Sequence, residues 1–219
     1  MPEIWDFLRS TAAGAAFNMA LDEALLCTAA KRGRPLLRVY SWEKPAVTFG
    51  YFQKFPAELA NDYEVVRRPT GGGVVYHVKD TTYTVVVSPG HSLHAMKTAD
   101  AYCALHKAVA AAFESRPDLH VAELHSPHGQ YECFQKPVHG DVVMEGRKLA
   151  GGAQRRTKSG MLHQGSIDAK VSATQLKRGF RETLRIDFED YEVTDAERTV
   201  AEKLVVEKYA TDAWNRYLR

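Results

Sequence analysis

Residues 67–77 read RRPTGGGVVYH, and this stretch sets how the rest of the chain is read. Three consecutive glycines, Gly71, Gly72 and Gly73, stand between two β-rich runs. Glycine loses the most backbone freedom on ordering, so three in a row are costly as plain structure. A two-residue hairpin turn needs one or two glycines, not three flanked by Arg-Arg and His. The run fits a loop whose backbone approaches a ligand and turns N–H groups toward a carboxylate, carbonyl or phosphate. Arg67 and Arg68 lie just upstream, and a guanidinium suits the same anionic target. The spacing is neither a Walker loop nor GxGxxG.

Around this loop the chain alternates in a way that points to α+β. Ser10 or Thr11 is placed to cap a helix whose apolar face is Phe17, Ala20, Leu21, Ala24 and Leu25. Gly33 and Pro35 end it. Strands are expected at Leu36–Trp42, Ala46–Phe49, Tyr63–Arg67, Val74–Val78 and Thr81–Ser88, punctuated by prolines. A second helix is expected over Thr98–Phe113. Shorter strands follow near His120–Leu124, Gly140–Glu145 and Gly165–Ile167. A connector then leads to a single tail helix over Asp195–Leu218, opened by a Thr194/Glu197 capping box. Helices set apart from runs of strands favour α+β over a doubly wound fold.

Composition narrows the function. The chain has 219 residues with 45% hydrophobic and 26% charged side chains, which fits one large globular domain or two small ones at most. Twenty-nine basic and 27 acidic residues give a net charge of +2, so no nucleic-acid partner is expected. No apolar run approaches the roughly 20 residues that span a bilayer. The start, MPEIWDFLRS, has no apolar core of a signal peptide, so a cytoplasmic setting is expected. The three cysteines, Cys27, Cys103 and Cys133, match no zinc or disulfide framework. The histidines form no ligand pattern either, and no metal is expected.

Two further segments carry chemistry. Lys148 enters the run LAGGA, after a turn-like Glu145-Gly146. Composition alone makes a solvated edge-strand lysine the simpler reading; a lysine beside a glycine pair can also be held against a ligand. Arg155, Arg156 and Lys158 read as a solvated basic loop that, with Arg147, suits an acidic carrier protein. Cys133 sits in the polar loop QYECFQKPVHG, where a free thiol has no packing reason to be. Cys27 and Cys103 read as inert, buried helix residues. A reactive Cys133 would need a nearby cation or base, and Lys148 and His139 are near in sequence.

The segments NMALDEALL (18–26), PAVTFGYFQ (45–53), RRPTGGGVVYH and GRKLAGGAQRR (146–156), in this order, resemble the lipoate–protein ligase and octanoyltransferase family, within the wider biotin/lipoate ligase fold. The resemblance implies a single catalytic domain over residues 1–219, with a central mixed β-sheet flanked by helices and an acyl chain in a tunnel beside the glycine loop. It implies that Lys148 contacts the activated acyl group and that Arg68, Gly71, Gly72, Gly73, His77, Gly151 and His163 bind substrate. Cys133, 15 residues before Lys148 and followed by Phe134, is similar in place and context to the nucleophile of the ligase-like octanoyltransferases. This implies octanoyl-acyl carrier protein as donor, a lipoyl domain or glycine cleavage H-type protein as acceptor, and no cofactor. The alternatives are an ATP- and Mg-dependent lipoate ligase, an amidotransferase between lipoyl proteins, and a non-catalytic lipoyl-binding module. The roughly 50 residues after Ile167 are too few for the accessory domain many such ligases add, which favours the transferase. Oligomeric state stays open.

Overall fold

The computed structural model describes residues 1–113, 118–123 and 137–217. In chain order the elements are β1 (Glu3–Arg9), α1 (Ala15–Cys27), α2 (Ala29–Arg32), β2 (Leu36–Tyr40), β3 (Ala46–Phe49), β4 (Glu64–Arg67), β5 (Val75–His77) and β6 (Thr81–Val87). There follow α3 (Ser92–Ala95), α4 (Thr98–Ala110), β7 (Leu119–Val121), β8 (Val142–Met144), β9 (Arg147–Thr157), β10 (Gly160–Ile167), α5 (Ala173–Leu184), β11 (Ile186–Asp190), α6 (Asp195–Leu204) and α7 (Asp212–Asn215).

Eight strands form one mixed sheet in the order β11-β1-β2-β6-β10-β9-β8-β7. A second sheet of three strands runs β4-β3-β5. The large sheet sorts its side chains by the two-residue period of a strand. Leu37, Val39, Tyr83, Val85 and Met161 face α4 and α5, which contribute Leu105, Val109, Leu176 and Phe180. Leu36, Tyr40, Val86 and Leu162 face the other way, onto α1, α6 and the small sheet. The α+β expectation therefore holds, with both faces of the sheet covered.

Several boundaries differ from the sequence reading, each for a local reason. The first seven residues after the N-terminal dipeptide form β1 rather than a lead-in, because β1 pairs in parallel with both β2 and β11. Neither Ser10 nor Thr11 caps α1. Ser10 Oγ accepts from Arg38 Nε at 2.9 Å, and the Ala15 N–H is capped by Glu64 Oε2 at 2.9 Å. The expected connector contains α5 and β11. Leu176 and Phe180 recur at helical spacing, and Ser172 and Gln175 form a capping box. The tail is not one helix. The Thr194/Glu197 box opens α6 as expected, but the chain passes through a π-turn at Val205–Tyr209, and Thr211 caps α7. The expected basic loop at 155–158 is the end of an 11-residue β9 and its hairpin to β10. Arg155 and Arg156 are half-buried there, and Arg156 donates to the Leu93 and His94 carbonyls. Cys27 is exposed and Cys103 half-buried, so the expected burial of both fails.

Candidate active site

A mostly apolar cavity of about 220 Å³ lies between the small sheet and strands β6, β10 and β9. Met19, Tyr40 and Trp42 wall one end, and Lys148, Tyr102 and Val138 wall the other. Lys148 sits on β9 and Tyr40 on β2, three strands apart in the sheet. At about 4.8 Å per strand step, the cavity extends roughly 14 Å across the sheet.

Lys148 owes its position to a turn and a bulge. Glu145 (φ 51°) and Gly146 (φ 72°) both take left-handed conformations, the pattern of a type I′ two-residue hairpin. The β8–β9 register then shifts: Val143 pairs with Lys148 but Val142 with Ala150. The extra residue re-aims the strand, a device common beside active sites. Lys148 Nζ lies 2.8 Å from Asp141 Oδ2, with the two side chains 10% and 0% exposed. Lys148 is therefore not the solvated edge lysine that composition favoured. A Cβ at Gly151 would overlap Lys148 Cε and Nζ, so the first glycine of the pair makes room for the lysine. The second, Gly152, makes room for the His163 ring in the same way.

The glycine loop wraps around Arg68. Its guanidinium donates to the Gly71 carbonyl at 2.7 Å, to the Gly73 carbonyl at 2.7 Å and to Thr48 Oγ1 at 3.2 Å. Gly72 needs its left-handed φ of 87°, and its carbonyl fills the space a Cβ at Gly50 would take. Gly72, Gly73 and Arg68 line the cavity. Arg67, its sequence neighbour, does not. It is buried against the tail, donating to the Trp214, Asn215, Tyr51 and Gln53 carbonyls.

Among the described residues three histidines are buried and held neutral. His77 lines the cavity, stacked 4.1 Å from Trp42. Its Nδ1 lies 2.7 Å from Asp80 Oδ2 and its Nε2 2.9 Å from Thr48 Oγ1. Burial pushes its pKa down despite Asp80. Burial alone would raise Asp80, but bonds from His77, Ser166 and Thr82 hold that carboxyl below its usual value. An ionised Asp80 only accepts, so His77 carries its proton on Nδ1 and Thr48 donates to Nε2. His163 packs behind the cavity floor, 3.1 Å from the Tyr83 hydroxyl, and burial pushes its pKa well down. His106 sits 5.4 Å from His163, and burial brings it to about 4.

The structure thus gathers Arg68, Gly72, Gly73, His77, Lys148 and Gly151 around one cavity. Gly71 contributes a carbonyl to Arg68, and His163 lies on the opposite face of β10 from the cavity-lining Gln164 and Ser166. Cys133 lies outside the described residues. Sequence reasoning missed Asp141, Tyr102 and Trp42. Only Asp141 left a trace, as an acid ahead of an apolar strand. Among the described residues no group of three or more metal-ligating side chains is present, and no helix is long and apolar enough to cross a membrane.

A mostly apolar cavity with a lysine in its wall, set in a mixed α+β sheet, suits an apolar chain that carries a polar head. A family model described as lipoyl protein ligase A/B catalytic domain matches residues 14–207. Octanoyltransferase LipM of Geobacillus kaustophilus (strain HTA426) is 32% identical over 275 residues, covering 97% of this chain and 98% of its own. Octanoyltransferase LipM of Bacillus subtilis (strain 168) is 31% identical, covering 97% and 98%. The solved bi-partite lipoate protein ligase of Thermoplasma acidophilum shares the fold, with TM-score 0.69 at 22% identity over 97% of this chain and 96% of that one. The chain belongs to the lipoyl protein ligase A/B catalytic domain family.

Proposed function

We propose that this chain is an octanoyltransferase acting as a single catalytic domain over residues 1–219. It takes octanoyl from its thioester on acyl carrier protein, holds it on Cys133 and passes it to a lysine of a lipoyl domain or glycine cleavage H-type protein. The observation that carries the reading is the apolar cavity ended by the Lys148 ammonium, which a buried carboxylate faces at 2.8 Å. A cavity of about 150 Å³ accommodates benzene, so about 220 Å³ suits an eight-carbon chain. The near-full-length likeness to proteins named octanoyltransferase supports the same substrate.

In the first half-reaction the Cys133 thiolate attacks the thioester carbonyl, a new C–S bond forms, and the carrier thiolate leaves. One thioester replaces another, so no ATP is needed. In the second, the neutral lysine amine of the acceptor attacks the acyl-Cys133 carbon. An amide forms, the Cys133 thiolate leaves, and the amine loses one proton to solvent or base. Both tetrahedral states carry negative charge on oxygen, which Lys148 stabilises as a fixed cation. Arg68, Gly71, Gly72, Gly73, His77 and Gly151 shape the substrate pocket, and His163 supports its floor.

The test is to incubate the protein with octanoyl-acyl carrier protein and an unmodified lipoyl domain, without ATP, and to weigh the acceptor. An octanoyl mass gain is expected. Gain only with octanoate, ATP and Mg²⁺ would make the protein a ligase instead. Gain only from an octanoylated lipoyl protein would make it an amidotransferase.

A further inference from the structure

We propose that Tyr102 and Asp141 are positioning residues that fix the Lys148 ammonium at the end of the cavity. Asp141 is fully buried and accepts three donors: Lys148 Nζ at 2.8 Å, the Val138 N–H at 2.8 Å and the Tyr102 hydroxyl at 2.7 Å. Among the described residues Lys148 is its ion-pair partner. The carboxylate therefore needs that ammonium, and it is one of the groups that hold the ammonium in place.

Tyr102 supplies what the sheet leaves unpaired. Strand β8 pairs with β9 only as far as Val142 opposite Ala150. Beyond that point the Gly152 N–H has lost its strand partner and donates to the Tyr102 hydroxyl at 2.9 Å. The hydroxyl in turn donates to Asp141 Oδ1. Burial, and then the Asp141 charge, push the Tyr102 phenol well above its ordinary pKa, so it stays a donor.

Helix α4 anchors the same loop a second time, one turn on. His106 Nδ1 lies 2.6 Å from the Gly140 carbonyl, and the Tyr102 ring packs 4.1 Å from the His106 ring. Gly140 takes a left-handed φ of 88°, and a Cβ there would press on the Tyr102 ring. Helix α4, 39 positions upstream at Tyr102, thus converges with the residues before β8 and with β9 on one amine.

The kinetic arm of the test rests on the octanoyltransferase reading, whereas the labelling arm does not. Tyr102→Phe keeps the ring and its packing and removes only the hydroxyl. It should lower kcat about tenfold and Asp141→Asn about a hundredfold, with KM for the octanoyl donor within about twofold of wild type. Wild type, Tyr102→Phe and Asp141→Asn are also treated with a limiting amount of acetic anhydride, and Lys148 acetylation is read by peptide mass. Lys148 should label several-fold faster in both variants, with the other lysines unchanged and the folded circular dichroism retained. Wild-type Lys148 labelling in a folded Tyr102→Phe protein would overturn the proposal. So would a KM rise with kcat unchanged. Should the wild type move no octanoyl group, the octanoyltransferase reading falls and the labelling contrast still decides this one.

Discussion

Asp22 and Asp141 are both buried against a cation, and their surroundings differ. Asp22 and Arg38 are both fully buried, 2.6 Å apart, on the face of the sheet covered by α1. Arg38 spends its remaining donors on Ser10 Oγ and on the Asn18 carbonyl and side-chain oxygens, and lies over the Tyr40 ring. Asp22 also accepts from Tyr40, Thr84 and Gln164. This pair is closed: its polar atoms face protein on every side. Asp141 is equally buried and equally satisfied, but its cation, Lys148, faces a cavity. The first arrangement fixes strand β2 to helix α1. The second presents charge to whatever enters. A buried ion pair is thus read by what lies beyond the cation, not by its length or burial.

The sharpest way to break this comparison is to remove one member of each pair. Asp22→Ala leaves Arg38 buried and unpaired and should cost about 3–5 kcal/mol in urea unfolding. Lys148→Ala strands Asp141 beside a cavity that water can enter, so it should cost less stability than Asp22→Ala while slowing octanoyl transfer some 10²–10³-fold, the cost of losing one stabilising donor. Equal stability losses for the two variants would end the distinction.

Acid should weaken the Lys148 side. His106 is held neutral with a pKa of about 4, below the roughly 6.5 of an unfolded histidine. The unfolded chain therefore binds the proton first. The stability that a neutral His106 confers is complete above about pH 6.5 and drains away as pH falls toward 4. Between pH 7 and pH 5 the loss from this residue is about 2 kcal/mol. Urea midpoints at the two pH values should show it, and His106→Gln should flatten the difference. A smaller effect is expected at Gly151→Ala, whose methyl group would displace Lys148. A loss of about tenfold in transfer rate is expected, with stability little changed.

Much of the fold was legible because its strands are apolar runs between proline and glycine punctuation. Ala46–Phe49 emerges with the expected ends, and β2, β4, β5 and β6 within two residues of them. What stayed hidden is amphipathic or charged. Strand β1 carries Asp6, buried beside Arg32 and Arg34, and edge strand β11 reads IDFED. Neither resembles a core strand until its partner is known. The site was legible where backbone demands show in sequence, at the glycine loop and the Gly151-Gly152 pair. It was illegible where tertiary contact assigns the role. Arg67 and Arg68 are adjacent and chemically identical, yet one staples the tail and the other braces the loop. Tyr102 and Asp141, 39 positions apart, meet only through folding.

The most direct test concerns the protein itself rather than its product. Wild type, Cys133→Ala and Lys148→Ala are each mixed with octanoyl-acyl carrier protein, without ATP or acceptor, and their intact masses taken over time. One octanoyl group should appear quickly on the wild type, far more slowly on Lys148→Ala and never on Cys133→Ala. A full adduct on Cys133→Ala, or equal rates for wild type and Lys148→Ala, would contradict a cysteine-borne transfer assisted by a cavity-facing cation.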